Sequence, residues 1–217
     1  MIRVREGGGA MLYDISPTVR PETPVWPGDT PFQARLAWSI AEGASVNVTA
    51  ITCTPHLGAH ADAPFHTEPR GEGIAEMPIE RYLGPCRLVK VPAAPQIEPR
   101  HVEGLDLASP RRLLFRSDSV RDRRSFPERF TALSPELAAL LVERGVLLVG
   151  MDTPSVDPFD SKELLAHHAL ARGGVAILEG LLLDGVPEGI YELIALPLKL
   201  AGLDASPIRA VLRTLES

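Results

Sequence analysis

Cysteine is scarce in this chain, with two thiols, Cys53 and Cys86, among 217 residues. Two thiols cannot build a disulfide framework, and both lie in apolar, strand-like runs, so buried free thiols in a reducing compartment are expected. No apolar run approaches the ~20 residues of a membrane span. Residues 1–10 carry charge but no apolar core of a secretory signal, so a cytoplasmic protein without a membrane partner is expected. Positive charge is also short. Lysine and arginine number 22 against 28 acidic residues, for a net charge of −6, which leaves no electrostatic footprint for nucleic acid. The one basic cluster, Arg121–Arg124, is interrupted by Asp122 and reads as a solvated loop. A G-x-S-x-G elbow, a phosphate-binding glycine loop and a G-x-G-x-x-G turn are all missing, which removes the common serine-hydrolase and nucleotide-binding readings.

Apolar residues are present in ordinary measure, 45% hydrophobic and 23% charged, and the length suits one well-buried domain. Residues 1–11 read as a flexible leader and 12–217 as a single domain without repeats or linker. Five prolines between Ser16 and Pro31 exclude a helix or a central strand there. Trp26 sits in that stiffened segment, as a core plug or as a wall for a flat ligand. Strands are expected at Phe32–Ile40, Ser45–Cys53, Arg87–Val91, Arg112–Arg116, Val146–Gly150, Val175–Leu178 and Glu192–Leu196. One helix is signalled at Pro135–Arg144, capped by Ser134 and ended by Gly145. A second is expected over Ser161–Arg172, with Asp160 and Glu163 as a capping box. Strands outnumber helices, which points to an α/β domain with a mixed sheet.

The chemistry concentrates in His56-Leu-Gly-Ala-His60-Ala-Asp62-Ala-Pro-Phe-His66. Three of the six histidines and one aspartate fall within eleven residues, and imidazole with carboxylate is the donor set of zinc-like divalent cations. Small residues separate the polar ones, so little bulk obstructs their convergence. His56 and His60 have the spacing of a helical zinc motif, but Gly58 and Pro64 oppose a helix and no glutamate follows His56. A compact loop delivering its ligands from one side is expected. Cys53, three residues earlier, is a further conceivable ligand.

A second cluster lies about a hundred residues on. His167 and His168 fall in the second helix, and Glu179 ends the apolar strand Val175–Leu178. A carboxylate closing a buried strand is costly to desolvate unless it is paired or binds a metal. Spacing does not choose between the two histidines, and His101 reads as surface. Two cations about 3.5–4 Å apart can share a water and lower its pKa toward ~7. One histidine beyond the ligand count, His66, is then free to move protons as general acid or base.

The eleven-residue motif resembles the H-x-G-T-H-x-D-x-P-x-H signature of the cyclase-like metal hydrolases. The segments Thr23–Pro31, Asp152–Pro158, Ile177–Gly180 and Tyr191–Leu198 are similar to landmarks of its bacterial kynurenine formamidase (arylformamidase) branch. The resemblance spans nearly the whole chain from Leu12. It implies a homodimer with a swivelling β/β/α core and two zinc ions per subunit, manganese being possible. It further implies hydrolysis of N-formyl-L-kynurenine to L-kynurenine and formate in tryptophan catabolism. By position, His56 and His60 match ligands of the first ion, Asp62 the carboxylate between the ions, and His66 the proton donor and acceptor. His167 rather than His168 matches a ligand of the second ion, with Glu179 bridging, and Trp26 matches a substrate-contacting tryptophan. Ala59 departs from the signature's threonine, which loosens at most a supporting contact. A cyclic-amide hydrolase acting on isatin is the alternative within the same family, and a non-catalytic binding protein with a structural metal clip is a more distant one.

Overall fold

Short leucine-, valine- and isoleucine-rich runs become strands. The computed structural model describes the backbone of residues 2–5 and 10–215, with side chains from residue 10 onward. The first strands are β1 (Ile2–Arg5), β2 (Met11–Asp14), β3 (Gln33–Trp38), β4 (Val48–Thr52) and β5 (His60–Asp62). β6 (Leu83–Lys90), β7 (Gln96–Ile97), β8 (Arg112–Arg116) and β9 (Ala132–Leu133) follow. The chain closes with β10 (Leu148–Met151), β11 (Ala176–Glu179), β12 (Gly189–Ile194), β13 (Ala205–Pro207) and β14 (Val211–Thr214). Two α-helices intervene, α1 (Pro135–Glu143) before β10 and α2 (Leu165–Arg172) before β11.

Ten strands form one mixed sheet in the order β1-β2-β14-β12-β6-β8-β10-β11-β5-β13. Its centre, β6-β8-β10-β11, is parallel, and the strands on both flanks pair antiparallel. The parallel centre is covered on both faces, as such strands require. In β8, Leu113 and Phe115 join the core beneath α1 and α2, while Leu114 joins the core on the opposite face with Tyr13, Ile15 and Tyr82. The architecture is a single-domain α/β fold with a large mixed sheet and few helices, in agreement with the expected class.

Several expectations need correction. Ile2–Arg5 pairs with Met11–Asp14 as an edge strand, where a flexible leader over residues 1–11 was expected; Met1 and residues 6–9 lie outside the described residues. His60–Asp62 is a buried strand between β11 and β13, not part of a loop, because its extended backbone can bond to both neighbours. Helix α2 begins at Leu165, four residues after the expected start, and no Asp160–Glu163 box caps it. Asp157 does that work: its two carboxylate oxygens accept from the backbone N–H groups of Ala166 and His167, the free donors of the first turn. Helix α1 begins as expected, with the Ser134 hydroxyl accepting from Leu137 N–H at 3.1 Å. Cys86 is buried as expected, whereas Cys53 is partly exposed.

Candidate metal centre

Strand alternation sets the first half of the site. His60 and Asp62, two apart in β5, point to one face while Ala61 turns into the core. Glu179 lies directly across from His60 in the β5–β11 ladder, so the two share that face. Helix α2 brings His167 over it. The two chain segments meet backbone to backbone at Gly180, where a Cβ would stand 2.1 Å from the Gly58 carbonyl oxygen. Gly180 also has φ +67°, a left-handed conformation that favours glycine. The small residues around the histidines therefore have a packing cause.

The five expected ligands converge. His56 Nδ1 lies 3.1 Å from Asp62 Oδ1, and His60 Nε2 lies 3.5 Å from the same oxygen. The other oxygen of Asp62 is 3.6 Å from His167 Nε2. Glu179 spans both histidines, with Oε2 3.3 Å from His60 Nε2 and Oε1 3.3 Å from His167 Nε2. Ligands 2.0–2.1 Å from a tetrahedral zinc are about 3.3 Å from one another, so these separations suit a shared cation better than direct hydrogen bonds. His60 Nε2, both oxygens of Asp62 and His167 Nε2 are buried without a hydrogen-bond partner among the described residues. Four orphaned polar atoms aimed at a common space are costly unless something fills it. The residues fit a bound cation.

Each ligand histidine is anchored through its remote nitrogen. His60 Nδ1–H donates to the Gly58 carbonyl at 3.1 Å, and His167 Nδ1–H donates to Asp157 at 2.7 Å. His56 Nε2–H donates to Asp204 at 2.9 Å. These bonds fix the tautomers and leave one lone pair per ring for a metal. Electrostatics follow the same plan. Burial alone lowers His56, but the Asp62 and Asp204 carboxylates outweigh it and raise it to about 9. His167 is likewise driven well above the ordinary imidazole value, as Asp157, Asp62 and Glu179 overcome burial. Asp62 goes the other way: burial would raise it, yet the facing His167, His56 and His60 imidazoles hold it well below the usual carboxylate range. Without cations, protons take their place between the same donors and acceptors.

His66 sits at the rim. Its ring is 4.3 Å from that of His56 and 5.7 Å from that of His167, and its Nδ1–H donates to Asp204 at 3.2 Å. It also offers a ligand atom within 4.8 Å of those of Asp62 and His167. His168 faces away and pairs with Glu68 at 2.7 Å, so of the adjacent histidines His167 joins the cluster. His101 is partly buried and accepts a backbone bond from Glu98. Cys53 belongs to none of the candidate clusters.

A cavity of about 1150 Å³ opens onto the centre, lined by His56, His60, His66, His167, Glu179 and the proline-rich segment. Trp26 lines it too, 37% exposed, so it is a wall and not a core plug. Phe126 and Phe159 each lie 5.1 Å from its ring and 6.0 Å from one another, so the three rings form one cluster. Arg121 and Arg124, expected on a solvated loop, are exposed and also line this mouth, together with Arg20, Glu22 and Asp29. Sequence reasoning missed Asp157, Asp204, Phe126 and Phe159. Asp157 alone left a trace, inside the Asp152–Pro158 segment that carries part of the family resemblance.

Among the described residues, no helix is long and apolar enough to cross a membrane. A solved structure described as a potential metal-dependent hydrolase with cyclase activity is 27% identical, with 96% of this chain and all of that chain covered and a TM-score of 0.85. A predicted metal-dependent hydrolase from Bacillus stearothermophilus is 26% identical over 96% of this chain and all of its own, with a TM-score of 0.83. Isatin hydrolase A from Labrenzia aggregata shares the fold at 24% identity and a TM-score of 0.81, over 95% of this chain and 94% of its own. The family model Cyclase, described as "Putative cyclase", matches residues 13–158. The chain belongs to that family.

Proposed function

We propose that the protein is a metal-dependent amide hydrolase that cleaves N-formyl-L-kynurenine to L-kynurenine and formate in tryptophan degradation. One observation carries the proposal: two distant segments bring five ligand side chains and four orphaned buried atoms together beside an aromatic-walled cavity. Two zinc ions are the proposed occupants, with manganese as the alternative. His56, His60 and Asp62 would hold one, and Asp62, His167 and Glu179 the other. Bound there, such cations supply an acidified water and polarise a carbonyl.

The chain's own part is to position and to move a proton. Asp204 accepts from His66 Nδ1, which leaves Nε2 with a lone pair. His66 can thus take a proton from water as its oxygen adds to the formyl carbon, and return it to the aniline nitrogen as the C–N bond breaks. Trp26, Phe126 and Phe159 would flank the substrate's aromatic ring. The mixed charge at the mouth supports a zwitterionic amino-acid tail: among the described residues neither Arg20 nor Arg121 has an ion-pair partner, and Glu22 and Asp29 stand nearby. Isatin has no such tail. Its hydrolysis is the second reading, because an isatin hydrolase shares this fold. The two free thiols fit a reducing cytoplasm.

Parallel assays of N-formyl-L-kynurenine and isatin, under zinc or manganese titration, test the proposal. Higher kcat/KM for the formyl anilide is expected. A preference for isatin replaces it with the second reading, and no turnover of either under any metal removes both.

A further inference from the structure

His66 stands on a stretch of chain that the core does not hold. Ala63 and Ile74 are buried, but none of residues 64–73 between them is, so no packed side chain fixes where that stretch lies. Its backbone closes on itself instead. After the single turn Pro64–His66, Glu68 N–H donates to the Pro64 carbonyl at 2.8 Å and Gly71 N–H to the Glu68 carbonyl at 2.8 Å. Phe65 N–H donates to the Glu72 carbonyl at 3.0 Å. The return is so close that a Cβ on Gly71 would stand 2.5 Å from the Pro64 carbonyl carbon. The loop is thus well braced within itself, and its placement depends on what it touches outside.

Among the described residues, two side chains of this loop bond to the rest of the molecule. His66 donates to Asp204, and Glu68 accepts from helix α2. One oxygen of Glu68, Oε1, takes both of its bonds, from His168 Nδ1–H at 2.7 Å and from Arg172 Nε–H at 2.7 Å. These donors are four residues apart and share one face of the helix. His167, the neighbour of His168, is turned to the metal centre. A single turn of α2 therefore presents a ligand on one side and a tie to the loop on the other.

We infer that Glu68 is a positioning residue: given the proton-carrying role proposed above for His66, it holds that ring at its working distance by fixing the loop to the helix that carries His167. Asp204 ties His66 to the β13 side of the centre, and Glu68 supplies the opposite tie, to the α2 side. Between them the His66 ring is held 5.7 Å from that of His167. Arg172 is 68% exposed, and exposed ion pairs add little to stability, so the consequence of the tie is placement. A proton carrier must come within about 2.6–3.2 Å of the atom it serves, and a displacement of about 1 Å can cost about a hundredfold in rate.

Glu68→Ala is expected to lower kcat about 10–100-fold, with KM and bound metal within about twofold of wild type. Glu68→Gln should restore kcat to within about threefold, because an amide oxygen in the place of Oε1 accepts both bonds. In a His66→Ala background, Glu68→Ala should cost less than about a further twofold, since the group it positions is gone. Amide hydrogen exchange over residues 64–72, read without substrate, should quicken in Glu68→Ala. A raised KM or lost metal in the alanine variant, no rescue by glutamine, an undiminished loss in the His66→Ala background, or unchanged exchange would each overturn the inference. Any of these beside normal wild-type turnover refutes the positioning alone, whereas a wild type that hydrolyses neither N-formyl-L-kynurenine nor isatin refutes the proposed reaction.

Discussion

The metal centre has an inner and an outer half, and they differ in their access to water. Asp62, His60, His167 and Glu179 are at most 5% exposed, whereas His56, His66 and Asp204 range from 18% to 35%. The inner half cannot recruit solvent to satisfy its orphaned nitrogen and oxygen atoms, so it needs cations or protons. The outer half opens on the cavity and can exchange protons with bulk water. On the proposed reading the inner half holds, while the outer half completes the first site through His56 and transfers protons through His66.

Breaking the inner half should have the largest effect. Asp62 is the carboxylate whose two oxygens face different histidines, so Asp62→Ala should release bound metal and lower turnover at least about a thousandfold. Metal analysis alongside kinetics checks it; retention of two equivalents with full activity would show that Asp62 does not join the two sites. The outer half should respond differently. His66→Ala is expected to keep its metal and lose about 10²–10⁴ in kcat, the usual contribution of a positioned acid or base. A loss of metal in that variant would make His66 a ligand, a role that its proximity to Asp62 and His167 permits.

Asp204 straddles the division, with one oxygen accepting from both His56 and His66. Asp204→Asn should weaken metal affinity and turnover together, each by about tenfold. An effect on kcat alone would tie Asp204 to proton transfer only. This aspartate also shows where sequence reasoning stopped. The eleven-residue motif announced itself by composition, and its ligands meet as expected. Asp204 sits in Leu203-Asp204-Ala205 with no histidine near it in sequence. It reaches the site because β13 pairs with β5, with Ala205 opposite Asp62, a long-range antiparallel pairing that no local pattern announces. Asp157 was half visible, as part of the Asp152–Pro158 segment, but the capping was expected of Asp160, and its second task of orienting His167 depends on where the helix lands. His60–Asp62 was misplaced in a loop because three residues are too few for alternation to register, although the two-residue spacing of its ligands already fitted an extended chain. Phe126 and Phe159 come from separate loops around Trp26, and only tertiary packing makes them a wall.

The smallest effect concerns pH, and its direction reverses with metal. In the metal-free protein His56 is raised to about 9 from an ordinary 6.5. A raised folded-state pKa stabilises fully below the unfolded value and loses that contribution as pH climbs through the folded one. His167, also raised, acts in the same direction, so the metal-free fold should lose about 1–3 kcal/mol between pH 6.5 and 9. Metal binding must expel those protons, so the metal-loaded protein gains affinity over the same interval. Thermal melts at pH 6.5, 8 and 9, with zinc or with chelator, should show a Tm gap that widens with pH by several degrees. A gap that stays constant or narrows would mean that protons do not occupy the inner half when metal is absent, and its orphaned atoms would then need another explanation.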